Sequence, residues 1–517
     1  MSDPSKTTKP ATTHRFRPDM EQLEARETPA AIALPDFYQL RGGRLLVQTA
    51  PDRNGQAGIL RNDFDDSLTP NSNRGLRIVQ ATTPIDQLTG LPIGTPFTIF
   101  TNGGFTLRAP HNFNGVIQFN YRAATASGLL SAVTPVSIAV SSPIRRVAIG
   151  ADQGSAPAVA VFDATTKSSL FTFNAFDGNF KGGVRVATGD FNRDGTDDIV
   201  CAAGPGAGPH VKIFDGRNGS QIASFFAFDA GFKGGLEVAT GDLDGDDIDD
   251  LIVSAGSGPN AHVKVFDGFN VAAAGFNPNS ASNVLASFFA YGTGETNGVR
   301  VAAGEFDGDN TIKLVTAPSS GSTQVKTFDL SGGGAVQERA FFAGDPTDRR
   351  GLFVTAGDFN GDFFDDIAVG SGSGRPEARI YGRGAVDNTF VLQRSVAAAS
   401  YVDGFVSDSF TTPFTTPTVT NPGPNYLEGA LASPAVVPTN LIGSPNTTRP
   451  GSLQGYTGGM RVAVDYLNRD NFADLVLAQG PNGFPRVQFL SGQDLSTLAD
   501  FTVFNGFFGG LNVAGHF

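Results

Sequence analysis

From Pro35 onward the chain is written in short runs whose apolar residues alternate with polar ones. The alternation is clearest in Val116-Ile117-Gln118-Phe119-Asn120-Tyr121 and in Val136-Ser137-Ile138-Ala139-Val140, and its period of two is that of half-buried strands. Seven such runs fall between residues 36 and 142: FYQLRG, RLLVQT, GLRIVQ, PFTIFT, GFTLRAP, GVIQFNYRA and VSIAVS. Seven short strands separated by turns predict a β-sandwich over 36–142.

Beyond Arg145 the pattern repeats itself. GGVRVATGDFNRDGTDDIVCAAGPGAGPHVKIFDG (182–216) returns as GGLEVATGDLDGDDIDDLIVSAGSGPNAHVKVFDG (234–268), then more loosely at 297–330, 350–382 and 458–492. A period near 50 residues with several strands per unit means a propeller or a solenoid. The two ends decide between them. The region opens with a unit that lacks its first strand and acidic loop, and the chain closes with GGLNVAGHF, which matches that missing strand. A solenoid would need polar caps rather than complementary halves. The Val-x-Val strand starts six times, at Val184, Leu236, Val299, Leu352, Met460 and Leu511. The Phe-Asp-Gly strand also occurs six times, near Phe162, Phe214, Phe266, Phe328, Tyr381 and Phe489. The expectation is all-β: a six-bladed β-propeller over 144–517, closed by the C-terminal strand 511–517 and preceded by the sandwich.

Composition sharpens this picture. With 65 Gly and 31 Pro in 517 residues, turns are frequent and helical bundles are disfavoured. A net charge of −13 argues against a nucleic-acid-binding surface, which needs clustered Lys and Arg. Cys201 is the one cysteine, so no intramolecular disulfide forms, and its apolar strand points to an inert buried thiol. No apolar run approaches the ~20 residues of a membrane-spanning helix.

Much of the acidity lies in one recurring loop. Asp190, Asn192, Asp194 and Asp198 stand at positions 1, 3, 5 and 9, with the Thr196 carbonyl at 7. The same places are held by Asp242, Asp244, Asp246, the Ile248 carbonyl and Asp250, and by Asp358, Asn360, Asp362, the Phe364 carbonyl and Asp366. Calcium takes six to eight hard oxygens at flexible distances, and this spacing curls oxygen ligands around one point. Three carboxylates so close would repel without a cation. Three structural Ca²⁺ ions are expected. Two further loops are degraded. Glu305, Asp307 and Asp309 meet Lys313 at position 9, whose ammonium can take the metal's place. Tyr466 replaces position 1 beside Asp465, although Asn468, Asp470 and Asp474 persist.

These loops and strands resemble the FG-GAP (integrin α-type) repeat, also called VCBS-like in bacterial surface proteins. The resemblance implies a propeller with calcium held in blade loops at the positions named, stiffening hairpins rather than acting in catalysis. Integrin propellers have seven blades and six are counted here, so no ligand face is carried over. GILRNDFDDSLTP, GGFTLRAPHNFNGVIQFNYRA and VTPVSIAV resemble bacterial cadherin-like, immunoglobulin-fold repeats through Leu60, Asn62, Asp63, Asp65, Leu68 and Thr69. In that family the acidic turn can bind calcium; a solvated turn capped by Asp and Asn is the alternative. HRFRPDMEQLEARETPA (14–30) resembles an N-terminal segment of large planctomycete surface proteins. It implies sorting to the cell surface, so residues 1–35 are expected to be a disordered or targeting segment.

A Pro- and Thr-rich insertion spans 408–456, where residues 411–450 hold eight prolines and two charges, Glu428 and Arg449. It reads either as an excursion or as a binding lid carrying Tyr426, Leu427, Val436 and Val437. The histidines are His14, His111, His210, His262 and His516; His210 and His262 are equivalent under the repeat and are expected to be structural. No Ser-His-Asp order, HExxH or P-loop is present. The expected function is a calcium-binding, cell-surface or secreted adhesion protein recognising an extracellular glycan or surface protein. The rivals are a propeller-based polysaccharide lyase or hydrolase and an architectural cell-envelope subunit.

Overall fold

The computed structural model describes residues 31–397 and 458–515, apart from 67, 69–71, 112, 259–261, 295, 310, 375, 385–388, 469 and 484. The expected sorting segment, the 408–456 insertion, Thr69, His14 and His516 lie outside the described residues. Among the described residues the elements are almost all strands, with one α-helical turn at Gly268–Val271. No helix is long and apolar enough to cross a membrane. The chain divides into two compact units. The first holds residues up to Tyr38, Leu46–Leu107 and Val116–Ile138; the second holds Gln39–Leu45, Arg108–Gly115 and Ala139–Phe517.

In the first unit all seven expected runs form strands, in two sheets. One sheet orders Asp36–Arg41, Thr134–Ser141, Gly115–Ala124 and Arg77–Ala81, with Ile85–Asp86 added; the other orders Leu45–Gln48, Phe105–Arg108 and Phe97–Ile99. Alternation decides the buried face: Ile117, Phe119 and Tyr121 are buried while the residues between them are partly exposed. Phe105 of the smaller sheet meets Tyr38 and Phe119 of the larger at 5.2 and 5.5 Å between ring centroids. Such edge-on pairs add about 0.5–1.5 kcal/mol each beyond area burial. The Tyr121 hydroxyl donates to Asp63 Oδ2 at 2.9 Å and lies 3.4 Å from Asp36 Oδ2. Both carboxyls are buried.

Among the described residues, the second unit contains six four-stranded antiparallel sheets. The second sheet is Val184–Gly189, Asp198–Ala203, His210–Phe214 and Gln221–Phe226. The third is Leu236–Gly241, Asp250–Ala255, His262–Phe266 and Val284–Phe289, and the fourth Val299–Gly304, Lys313–Pro318, Gln324–Asp329 and Val336–Phe342. The fifth is Leu352–Gly357, Asp366–Ser371, Glu377–Arg383 and Phe390–Ala397, and the sixth Met460–Asp465, Asp474–Gln479, Arg486–Leu490 and Thr497–Thr502. The first sheet joins both ends of the unit. Leu511–Ala514 pairs antiparallel with Arg146–Ala151, which pairs with Ala158–Asp163 and then Ser169–Asn174. Each sheet packs its first strand against the first strand of the next, and the series returns from Met460–Asp465 through Leu511–Ala514 to Val184–Gly189. The arrangement is consistent with a β-propeller.

Every second strand after the first sheet is buried along its whole length, so the core lies between neighbouring sheets. The Phe-Asp-Gly motif has a local cause. Each third strand shifts register at its aromatic or apolar residue, at Phe162, Phe214, Phe266, Phe328, Tyr381 and Leu490. In the sixth sheet the aligned position is therefore Leu490, one residue beyond Phe489. The glycine that follows must approach another backbone closely: a Cβ on Gly216 would lie 1.7 Å from the Asp197 carbonyl oxygen. The long third repeat carries its extra residues between the third and fourth strands, around the turn Gly268–Val271.

Candidate metal centre

The acidic loops connect the first and second strands of their sheets. In the three intact loops, positions 4 and 6 both adopt positive φ: Arg193 and Gly195, Gly245 and Asp247, Phe363 and Gly361. Two left-handed residues two apart bend the backbone so that positions 1, 3 and 5 turn inward. A non-glycine residue there costs roughly 1 kcal/mol, and each loop accepts that cost once.

Hydrogen bonds fix the side chains in a shared pattern. Asp190 accepts from the N–H of Asp194 and Gly195, Asp242 from Gly245 and Asp246, and Asp358 from Gly361 and Asp362. The carboxylate at position 5 accepts from the N–H at position 7, in Asp194–Thr196, Asp246–Ile248 and Asp362–Phe364, each at 2.9 Å. Position 9 anchors the loop to its sheet. Asp198 accepts from the N–H of Phe191, Asn192 and Gly216, and Asp250 from those of Leu243 and Gly268. Asp366 accepts from the Phe359 N–H.

The loops differ in how closely they gather carboxylates. Asp242, Asp244 and Asp246 each offer an oxygen within 4.8 Å of the others, and Asp244 and Asp250 form a second such group with Asp267 of the Phe-Asp-Gly turn. Among the described residues, the carboxylates of the Asp190 and Asp358 loops form no such group. In those two loops Asn192 and Asn360 stand at position 3, with Nδ2 3.2 Å from Asp198 Oδ1 and from Asp366 Oδ1. Arg217 also reaches Asp194, at 3.2 Å. Burial raises the carboxyl pKa to about 7 at Asp198 and to about 8 at Asp250 and Asp358, and neighbouring carboxylates add to each rise. At neutral pH such groups gain from a cation in the loop. The donor set consists of hard oxygens throughout and fits calcium.

The fourth loop has its own cation. Lys313 is 1% exposed, and its Nζ lies 3.1 Å from Asp309, 3.6 Å from Asp329 and 3.8 Å from Asp307. Glu305 keeps Oε1 in the loop, where it accepts from the N–H of Asp307 and Gly308, and it offers an oxygen within 4.8 Å of one on Asp307 and one on Asp309; its Oε2 pairs with Arg108 at 3.0 Å. In the sixth loop Tyr466 is buried beneath His111, with ring centroids 4.1 Å apart and planes 11° from parallel. Asp474 keeps its anchoring role and accepts from the N–H of Leu467, Asn468 and Gly492.

Two sets of residues escaped the reading of the sequence. The first is the aspartate at position 8. Asp197 accepts from the Arg146 N–H at 3.1 Å, Asp249 from the Asp190 N–H at 3.3 Å and Asp365 from the Glu305 N–H at 2.7 Å. Each ties its loop to the preceding sheet. The repeated Asp-Asp pairs 197–198, 249–250 and 365–366 were the available signal. The second set is basic. Arg41 pairs with Asp249 at 3.2 Å, and Arg44 pairs with Asp242, from the segment Gln39–Leu45 of the same unit. Arg41, Arg44 and Arg108 border a cavity of about 40 Å³ with Asp242, Asp249 and Glu305, which is room for water alone. His210 and His262 bond Ser224 and Ser287 at 2.8 and 2.9 Å in equivalent surroundings, and Cys201 is fully buried.

Residues 351–387, which include the Asp358 loop, match the FG-GAP repeat. An 83-residue stretch is 37% identical to integrin alpha-V of Gallus gallus, covering 16% of this chain and 8% of the integrin. Among solved structures, Citrobacter koseri AztD aligns at 11% identity with a TM-score of 0.32, over 72% of this chain and 98% of that one. A chain of the mitotic checkpoint complex aligns at 12% identity with a TM-score of 0.29, over 54% of this chain and 74% of that one.

Proposed function

We propose that this chain is a calcium-binding adhesion or interaction protein of the cell surface or extracellular space, and that its second unit is a six-bladed β-propeller. The first unit is read as a cadherin-like, immunoglobulin-fold sandwich, and the partner as a glycan or another surface protein. The observation that carries the reading is the oxygen-lined loop recurring in the second, third and fifth sheets, the last inside the FG-GAP match. Calcium would be held by Asp190, Asn192, Asp194, Asp198 and the Thr196 carbonyl. The second set is Asp242, Asp244, Asp246, Asp250 and the Ile248 carbonyl, and the third Asp358, Asn360, Asp362, Asp366 and the Phe364 carbonyl. Its chemistry there is charge neutralisation: it offsets the burial and mutual repulsion that raise Asp198, Asp250 and Asp358, and it stiffens each hairpin without entering a reaction. Extracellular calcium modules bind at ~0.1–1 mM, which sets the range to examine.

The test is calorimetric titration of the chelator-treated full chain with Ca²⁺, followed by melting with and without the ion. The expected result is about three ions bound and a higher melting temperature in calcium. An unchanged melting temperature, or no stoichiometric uptake, removes the reading.

A further inference from the structure

The third acidic loop receives cations from outside the repeat. Arg41, Gly42, Gly43 and Arg44 form a tight turn, closed by the Arg44 N–H on the Arg41 carbonyl at 3.2 Å. Both central places require glycine: a Cβ on Gly42 would lie 1.9 Å from Ser142 Oγ, and Gly43 has a φ of +80°. The turn brings both of its arginines to the loop Asp242–Asp250. Arg41 donates to the Asp247 carbonyl at 2.9 Å and to Asp249 at 3.2 Å, and Arg44 donates to Asp242 Oδ2.

Asp242 stands at position 1 of the loop, and its acceptor sites are all taken. An ionised carboxylate offers about four lone-pair sites. Asp242 Oδ1 accepts from the N–H of Gly245 and Asp246, and Oδ2 from the Asp247 N–H and from Arg44. The equivalent carboxylates accept less: Asp190 from the N–H of Asp194 and Gly195, and Asp358 from those of Gly361, Asp362 and Phe363. All of those donors are uncharged backbone groups. The Arg44 guanidinium thus fills a place that the other two loops leave open. The pair is little screened by solvent, since the side chains of Arg44 and Asp242 are 15% and 1% exposed. The third loop is also the richest in charge, with Asp244 at position 3 where the other two carry Asn192 and Asn360. In the fourth loop the position-1 residue is held in the same way, Glu305 by Arg108 at 3.0 Å, and there Lys313 adds a second cation.

We propose that Arg44 is a built-in competitor for the third calcium site, holding its position-1 carboxylate and giving it up when the site fills. The proposal rests on the reading of these loops as calcium sites and gives one of them a regulator. A guanidinium and a divalent cation on the same carboxylate repel each other, and the lone pair aimed at Arg44 is withheld from a metal that needs six to eight oxygens. The affinity of the third loop is therefore lower than its four carboxylates alone would give.

The test is calorimetric titration with Ca²⁺ of the chelator-treated full chain carrying Asp194→Asn and Asp362→Asn. These strip one carboxylate from each of the other two loops, so that the third site is read by itself. Adding Arg44→Gln is expected to tighten that site about tenfold, the scale of one hydrogen bond to a charged group, with its stoichiometry unchanged. The same substitution is expected to lower the melting temperature in chelator, where Asp242 loses its partner, and to enlarge the rise that calcium produces. A purely structural Arg44 would lower melting in both states and would not tighten the site. Should Arg44→Gln fail to fold, Arg44→Lys, which keeps the charge and loses the planar fork, is expected to tighten the site by about twofold to threefold. An unchanged or weaker affinity in the variant that folds, or a calcium-induced melting shift no larger than without the substitution, overturns the proposal. No calcium uptake by the unaltered chain sinks the parent reading and this inference with it, whereas uptake of about three ions with a third site indifferent to Arg44 sinks this inference alone.

Discussion

Lys313 shows how one residue changes the chemistry of a loop. The intact loops place an aspartate at position 9, where it anchors the hairpin; the fourth places an ammonium there, within 3.1–3.8 Å of three carboxylates. Asp307, Asp309 and Asp329 therefore carry a tethered cation in place of a diffusible one. Lys313→Ala leaves those carboxylates facing one another and is expected to cost about 2–3 kcal/mol, less than a fully enclosed pair because Asp309 is half exposed. Lys313→Asp restores the residue of the other loops, and its expected outcome is one additional Ca²⁺ per chain in the titration; an unchanged count refutes the substitution of ammonium for metal. In the first unit, burial raises Asp36 to about 7 and Asp63 to about 6. Both bind their protons more tightly folded than in an unfolded chain, where a carboxyl titrates near 3.9. Their contribution to stability is thus full at low pH and is lost as pH rises through 6 and 7. Asp63→Asn is expected to raise the melting temperature of that unit at pH 8 and to flatten its decline between pH 5 and pH 8. A decline as steep as in the parent protein would falsify the assignment.

At the scale of the element, the strand, the loop and the bulge are one device. The position-9 aspartate accepts from the Phe-Asp-Gly glycine N–H, as Asp198 does from Gly216 and Asp474 from Gly492, and the position-8 residue brings its carbonyl against that same glycine. Gly216→Ala drives a Cβ to 1.7 Å from the Asp197 oxygen and displaces the loop, at a cost of about 1–3 kcal/mol in the melting curve. Gly206→Ala meets open space and pays only for its positive φ, so a larger effect there contradicts the packing argument. The same geometry explains what could be read from the sequence. Strand alternation and the 1-3-5-9 spacing are local properties, legible from a dozen residues. Asp197, Asp249 and Asp365 were visible as the first half of Asp-Asp pairs, yet their role depends on a backbone N–H some 50–60 residues earlier in the chain. Arg41, Arg44 and Arg108 lie about 200 residues from the carboxylates they meet, and no local pattern marks them.

The whole second unit depends on joining its ends. In an open array each repeat contacts only its neighbours, and the terminal repeats need polar caps. Here Arg146–Ala151 is buried along its length, and it is covered on one side by Ala158–Asp163 and on the other by Leu511–Ala514. The closing strand also contributes Leu511 to the cluster containing Val147, Ile149 and Phe489, and Ala514 to the one containing Val184 and Cys201. Removing it strips apolar contacts from both neighbouring sheets at once and leaves a row of backbone N–H and C=O groups unpaired in a buried edge. Truncation after Gly510 is therefore expected to abolish the cooperative melt of the second unit rather than shift it by a few degrees, because each sheet relies on a neighbour on both sides. A synthetic peptide of residues 511–517 added in trans is expected to restore cooperativity at concentrations that saturate the vacant edge. A truncated chain that melts like the parent would show that the ring is not a stability unit, and the six-bladed closure would fall with it.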